Sequence, residues 1–114
     1  MLPKKYRLSK TAEVAKTTAR GRTFFSPSFL IKYLIDKELT EPHITVIVSN
    51  KISKSAVTRN KIKRAIRFAV EQVLDQIRPA NYAILVKKSA MTQSMVELKK
   101  EVLEALQKSK IIKS

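Results

Sequence analysis

Seven cationic side chains fall between Ser49 and Arg67 with no acid among them: Lys51, Lys54, Arg59, Lys61, Lys63, Arg64 and Arg67. Guanidinium forks and ammonium groups at this density suit phosphate oxygens, which they meet through charge-assisted hydrogen bonds. A second basic group, Lys4, Lys5, Arg7 and Lys10, opens the chain. The acids gather elsewhere, in 36–41, at Glu71 and Asp75, and in 97–104. Such segregation implies one dedicated basic face rather than an evenly solvated surface. Across the sequence 24 Lys and Arg stand against 9 Asp and Glu, leaving +15 at pH 7. Self-repulsion of that size favours a partner that neutralises it, and the polyanions that fit are nucleic acid and anionic lipid.

The residue types for protein-borne catalysis are missing. There is no cysteine, which removes thiolate nucleophiles, thiolate zinc sites and disulfides. His43 is the single histidine, so no histidine pair can hold a metal or relay a proton. The nine carboxylates are scattered rather than gathered around a metal, which excludes independent phosphodiester hydrolysis. No run of eighteen apolar residues spans a bilayer, and no tryptophan anchors a lipid-facing stripe. The start, Met-Leu-Pro-Lys-Lys-Tyr-Arg, lacks the apolar stretch of a signal peptide. A cytoplasmic protein without a membrane partner is expected. The 44% hydrophobic share is that of a globular chain, and 114 residues make one domain. That domain covers 1–114, with a basic, irregular stretch over 1–8 and a Lys-rich tail over 109–114.

The elements that must position these cations follow from periodicity. Ser9 can cap a first helix over 10–20, and Gly21, the only glycine, stands at its C-terminal end. Phe24 and Phe25, then 29–35, have strand composition interrupted by Pro27, or form a single strand. Residues 44–48, β-branched throughout, read as a central strand. The clearest helix covers 59–77, where Ile62, Ala65, Ile66, Ala69, Val70, Val73, Leu74 and Ile77 recur at threes and fours. Pro79 closes it, 82–86 form another buried strand, and Ser94 with Glu97 opens a last amphipathic helix as a capping box. The order is α-β-β-β-α-β-α. Short connections make the early strands antiparallel, and the helix between 44–48 and 82–86 makes those two parallel. The expected fold is α+β, a two-layer sandwich with helices packed on a mixed four-stranded sheet.

On the 59–77 helix the apolar stripe faces the sheet. Asn60, Lys63, Arg64 and Arg67 then share the outer arc, with Lys61 and Phe68 further round. Arg59 and Asn60 are expected in its first turn. Cations there oppose the helix dipole, whereas a phosphate would meet dipole, free N–H groups and guanidinium forks together.

The run Ser53-Lys-Ser-Ala56-Val-Thr-Arg59-Asn60-Lys61-Ile62-Lys63-Arg64-Ala65-Ile66-Arg67 resembles the "RNR" signature of the bacterial ribonuclease P protein subunit. Tyr6-Arg7-Leu8, Gly21, Val46 to Lys51, Asn81 to Val86 and the final Ser-x-x-Glu helix are similar to that family too, so the resemblance covers nearly the whole chain. It implies an endoribonuclease ribonucleoprotein that removes the 5′ leader from precursor tRNA, with magnesium-dependent chemistry carried by the RNA subunit and one protein per RNA. It also implies a left-handed β-α-β crossover, where general rules favour the right-handed one. Arg59, Asn60, Lys63, Arg64 and Arg67 would contact the catalytic RNA, with Asn60 a neighbour of RNA-bound magnesium. Lys51, Lys54 and Lys61 complete the RNA-facing set.

A cleft between the first helix and the sheet would hold the single-stranded leader. Family members place two phenylalanines four apart on that helix for base stacking, worth ~1–3 kcal/mol per base. The corresponding positions here are Val14 and Thr18, a departure from the pattern. Lys16, Arg20 and Lys32 are the expected phosphate contacts there. Phe24, Phe25, Phe29 and Tyr33 are the candidate replacements, with Phe29 equally suited to the core. The alternative to a processing role is a ribosomal or general RNA-binding protein.

Overall fold

The computed structural model describes residues 4–8, 11–35, 38–109 and 111. Its main elements are α1 (Thr11–Arg20), β1 (Arg22–Phe25), β2 (Phe29–Leu34), β3 (His43–Ile47), α2 (Ala56–Gln72), β4 (Asn81–Val86) and α3 (Met95–Lys108). The four strands form one mixed sheet in the order β1-β2-β4-β3. β1 and β2, and β2 and β4, run antiparallel, whereas β3 and β4 run parallel across the α2 connection. The α+β fold with its mixed four-stranded sheet is as expected. Phe24 to Ile35 is not one strand: the turn at Ser26 to Ser28 folds β1 back on β2, with Ser26 N–H donating to the Phe29 carbonyl at 2.9 Å.

Alternation along the strands separates two faces. Phe29, Ile31, Ile44, Val46, Tyr82, Ile84 and Val86 point to one side and form a single core with Ile62 and Ile66 of α2 and Leu98 and Val102 of α3. Each of these is nearly or wholly removed from water, at roughly 1.5–3 kcal/mol per large apolar side chain before entropic costs. The other face carries Phe25, Leu30, Lys32, Ala83 and Leu85 by the same register. α1 lies there against β2 and β4, tied by Lys32 Nζ donating to the Thr18 carbonyl at 2.8 Å.

Several expected features take a different form. The β-branched strand β3 stands at the sheet edge, not its centre. Its outer side is met by the N-terminal segment, where Arg7 bridges Ile44 and Leu8 N–H donates to the Ile44 carbonyl at 2.9 Å. Arg7 and Leu8 are therefore fixed against β3. Lys4–Tyr6 make one 3₁₀ turn, and Leu8 is buried. Near the other end Ile111 is buried and its carbonyl accepts from Arg78 N–H at 2.9 Å, which the Lys-rich composition does not foretell. Ser9, proposed as the first helix cap, and Lys10 lie outside the described residues.

Gly21 is required by close approach. A Cβ at this position would stand 2.4 Å from the Thr17 carbonyl oxygen and 2.8 Å from that of Tyr33. Its φ lies outside the left-handed region, so it does not act as a left-handed helix terminator. The missing side chain instead lets the end of α1 sit on β2.

Candidate nucleic-acid interface

α2 begins three residues earlier than the apolar period suggests. Ser55 is its N-cap, its hydroxyl accepting from Thr58 N–H at 3.3 Å, and the helix runs from Ala56 to Gln72. Val73 terminates it, a 3₁₀ turn over Leu74–Gln76 follows, and Ile77 is extended. The apolar period continues past the helix because Ile77 is buried from a non-helical backbone. Arg59 and Asn60 are consequently the fourth and fifth helical residues, not first-turn residues at the positive pole. The dipole argument thus applies to the capped Ser55 end rather than to these two side chains.

Asn60, Lys63, Arg64 and Arg67 converge on one open groove of about 510 Å³. Three of the four are cations and no acid lines it. The spacing explains the convergence: 60, 63, 64 and 67 recur at three and four along α2, opposite the buried Ile62, Ala65 and Ala69. Asn60 and Arg64 are exposed, whereas Lys63 and Arg67 are half-buried. Burial, and next the charge of Arg7, push the Arg67 guanidinium below its ordinary value. Arg7, on the N-terminal segment, is thus close enough to repel the Arg67 charge, although it does not line the groove.

The remaining predicted RNA contacts are placed differently. Arg59 is half-buried and donates from Nη1 to the Ser53 carbonyl at 2.8 Å, fastening the preceding loop to the helix. Lys51 and Lys54 are exposed in that loop, and Lys61 is exposed on the flank of α2. None of these four lines the groove.

The predicted leader set divides. Phe29 is wholly buried, on the sheet face covered by α2 and α3, and is a core residue. A fully buried ring behind the sheet cannot stack on a base, so the cleft assignment of Phe29 is corrected. Phe24 and Tyr33 also pack against that core, and Tyr82 is buried with its hydroxyl donating to the Arg78 carbonyl at 2.6 Å. Burial, with Tyr33 next to it, pushes the Tyr82 phenol up. Phe25 alone of the four candidate aromatics shares a sheet face with Lys32, and it is 70% exposed. Val14 and Thr18 are half-buried on α1, four residues apart, while Lys16 and Arg20 are exposed.

Comparison with known proteins decides the family. The family model described as Ribonuclease P matches residues 2–110. The chain belongs to the ribonuclease P protein family. Membership assigns it the family's place in tRNA 5′ processing and a ribonuclease P RNA as partner. A ribonuclease P protein component from Listeria innocua is 34% identical over 113 residues, covering 98% of this chain and 94% of its own. One from Staphylococcus carnosus is 31% identical over 110 residues, covering 96% and 95%. Among solved structures, a mutant Staphylococcus aureus RNase P protein superposes with a TM-score of 0.89 at 25% identity, over 96% of this chain and 92% of its own. The Thermotoga maritima protein, 16% identical with a TM-score of 0.77, shares the fold over 90% of this chain and 96% of its own.

A magnesium ion held by the protein does not fit the groove. Asn60 offers one neutral oxygen among three cations, and magnesium favours carboxylate and phosphate oxygens. Among the described residues no three His, Asp or Glu side chains come together for a metal. His43 is half-buried, its Nδ1 3.3 Å from Asn81 Oδ1.

A polar clasp escaped the sequence reading. The Glu101 carboxylate of α3 accepts from Ser26 Oγ at 2.6 Å and from Ser28 N–H, Ser28 Oγ and Gln93 Nε2 at 2.9 Å each. Burial alone would raise its pKa, but the hydrogen bonds from Ser26, Gln93 and Ser28 outweigh it and hold the carboxyl below its usual value. Lys87 Nζ donates to the Ser26 carbonyl at 2.9 Å from the other side. The turn that presents Phe25 is thereby fixed by contacts more than sixty residues away in sequence. The clustered Ser26, Pro27 and Ser28 signalled a turn, but no local pattern names its distant acceptor.

Proposed function

We propose that this protein works in the cytoplasm as the RNA-positioning subunit of ribonuclease P, one copy per RNA, promoting endonucleolytic removal of the 5′ leader from precursor tRNA. The chemistry belongs to the RNA and its magnesium ions. The protein contributes fixed positive charge, which RNA cannot supply to itself. The single observation that carries this reading is the acid-free groove of Asn60, Lys63, Arg64 and Arg67. Phosphates entering it meet two guanidinium forks and an ammonium already held on a rigid helix. Arg59 acts by positioning the loop that carries Lys51 and Lys54.

The opposite sheet face is the proposed path of the single-stranded leader. Lys16, Arg20 and Lys32 supply its charge, Val14 and Thr18 its wall, and Phe25 its stacking surface in place of helix-borne phenylalanines. Two facts support this assignment: by strand register Phe25 and Lys32 share one face, and the Phe25 ring is exposed.

Reconstitution tests the whole reading. The protein is added to a bacterial ribonuclease P RNA at physiological salt and low magnesium, and cleavage of precursor tRNA is measured. Leader removal that requires both components is the expected result. Binding to several such RNAs without any gain in cleavage would overturn the processing role in favour of general RNA binding.

A further inference from the structure

Phe68, the single ring of α2, is 49% exposed, whereas Ile62, Ala65, Ile66, Ala69 and Val70 of the same helix are buried. Lys99 of α3 reaches across the helix pair and sets its Nζ 4.5 Å from the Phe68 ring centroid. Lys61, Arg64 and Phe68 follow one another at spacings of three and four, so they share a strip of α2. Arg64 also lines the groove, which makes Phe68 and Lys99 the continuation of the cationic surface onto α3. Glu71, one turn beyond, ends the acid-free stretch.

An exposed aromatic among ammonium and guanidinium groups has specific binding chemistry. A protein partner placing an apolar side chain on Phe68 would have to desolvate Lys61, Arg64 and Lys99 without repayment. An unpaired nucleotide offers a π-face to the ring and a phosphate to the cations in one ligand. The cation already stacked on the ring holds its orientation, so little rotamer freedom is lost on binding. We infer that Phe68 and Lys99 form a stacking site for one unpaired base of the RNA subunit, with the adjoining phosphate taken by Lys99 and Arg64. This rests on the RNA-binding reading of α2.

The test uses the full chain and a bacterial ribonuclease P RNA. Phe68→Ala weakens binding by about 5- to 150-fold, the range of one lost base stack, without changing the salt slope. Lys99→Ala lowers the slope by about 0.7–0.9. Since the sequence holds no tryptophan, Phe68→Trp gives a single indole fluorophore that keeps the affinity and is quenched by the stacked base. Melting curves of each free variant exclude misfolding as the cause. Wild-type affinity in Phe68→Ala, or indole fluorescence that stays unquenched when the Phe68→Trp variant binds RNA, overturns the stacking site. Arg64→Ala separates the two levels. If it weakens binding while Phe68→Ala does not, only the stacking site falls; if neither does, the α2 interface falls with it.

Discussion

The groove and the Arg59 side chain make opposite demands on a salt titration. Lys63, Arg64 and Arg67 open onto one groove, whereas the Arg59 guanidinium already donates to the Ser53 carbonyl at 2.8 Å. Each phosphate neutralised contributes about 0.7–0.9 to the slope of log affinity against log salt. Removing one groove cation therefore costs that much slope, and removing all three costs about 2–2.7. Between 50 and 200 mM salt, wild-type affinity should thus fall about 20- to 40-fold more than that of the triple alanine variant. Arg59→Ala should leave the slope within about 0.3 of wild type while lowering affinity by loosening the 51–54 loop. The assay is equilibrium binding to the RNA subunit over that salt range, with circular dichroism confirming the fold of each variant. Unchanged slopes in the three groove variants would remove α2 from the RNA surface. A full unit lost in Arg59→Ala would show that the Ser53 contact yields to phosphate.

Other perturbations test the fold that carries these surfaces. Phe29→Ala removes a wholly buried ring and should cost about 3–5 kcal/mol in urea unfolding, where a leader-contacting residue would leave stability intact. Gly21→Ala places a methyl group 2.4 and 2.8 Å from two backbone oxygens, so α1 must shift from β2; about 1–3 kcal/mol of stability should be lost, and leader-dependent affinity with it. Glu101 has a depressed folded-state pKa, so its carboxylate stabilises the fold above the unfolded value near 4.3 and loses that effect as pH falls through the lower folded value. Glu101→Gln should cost about 1–3 kcal/mol at neutral pH and flatten the acid limb of a melting-temperature profile; a parallel limb in the variant would refute the clasp.

Ile62, Ile66 and Val70 made α2 legible, because a three-four apolar repeat has one burial solution. The same repeat misplaced both its ends. Ser55 caps the helix through a hydroxyl at a site where Ser53 offers equal chemistry, and Ile77 is buried from an extended backbone that the repeat cannot distinguish from helix. The Ser94–Glu97 capping box, whose two hydrogen bonds join residues three apart, was legible in full. β3 looked central because β-branched composition reports burial, and the N-terminal segment, Arg7 to Leu8, buries the edge of β3 just as a strand would. Phe29 and Phe25 differ by four positions and by nothing in chemistry, yet one is core and the other exposed. Their fates are set by the parity of the β1–β2 register, which the Ser26–Pro27–Ser28 turn fixes and Glu101 holds from the far end of the chain. Composition reveals where charge accumulates, but a two-faced sheet assigns each aromatic by register. The turn therefore decides, as much as the placing of the cations does, which side chains each face of this molecule presents.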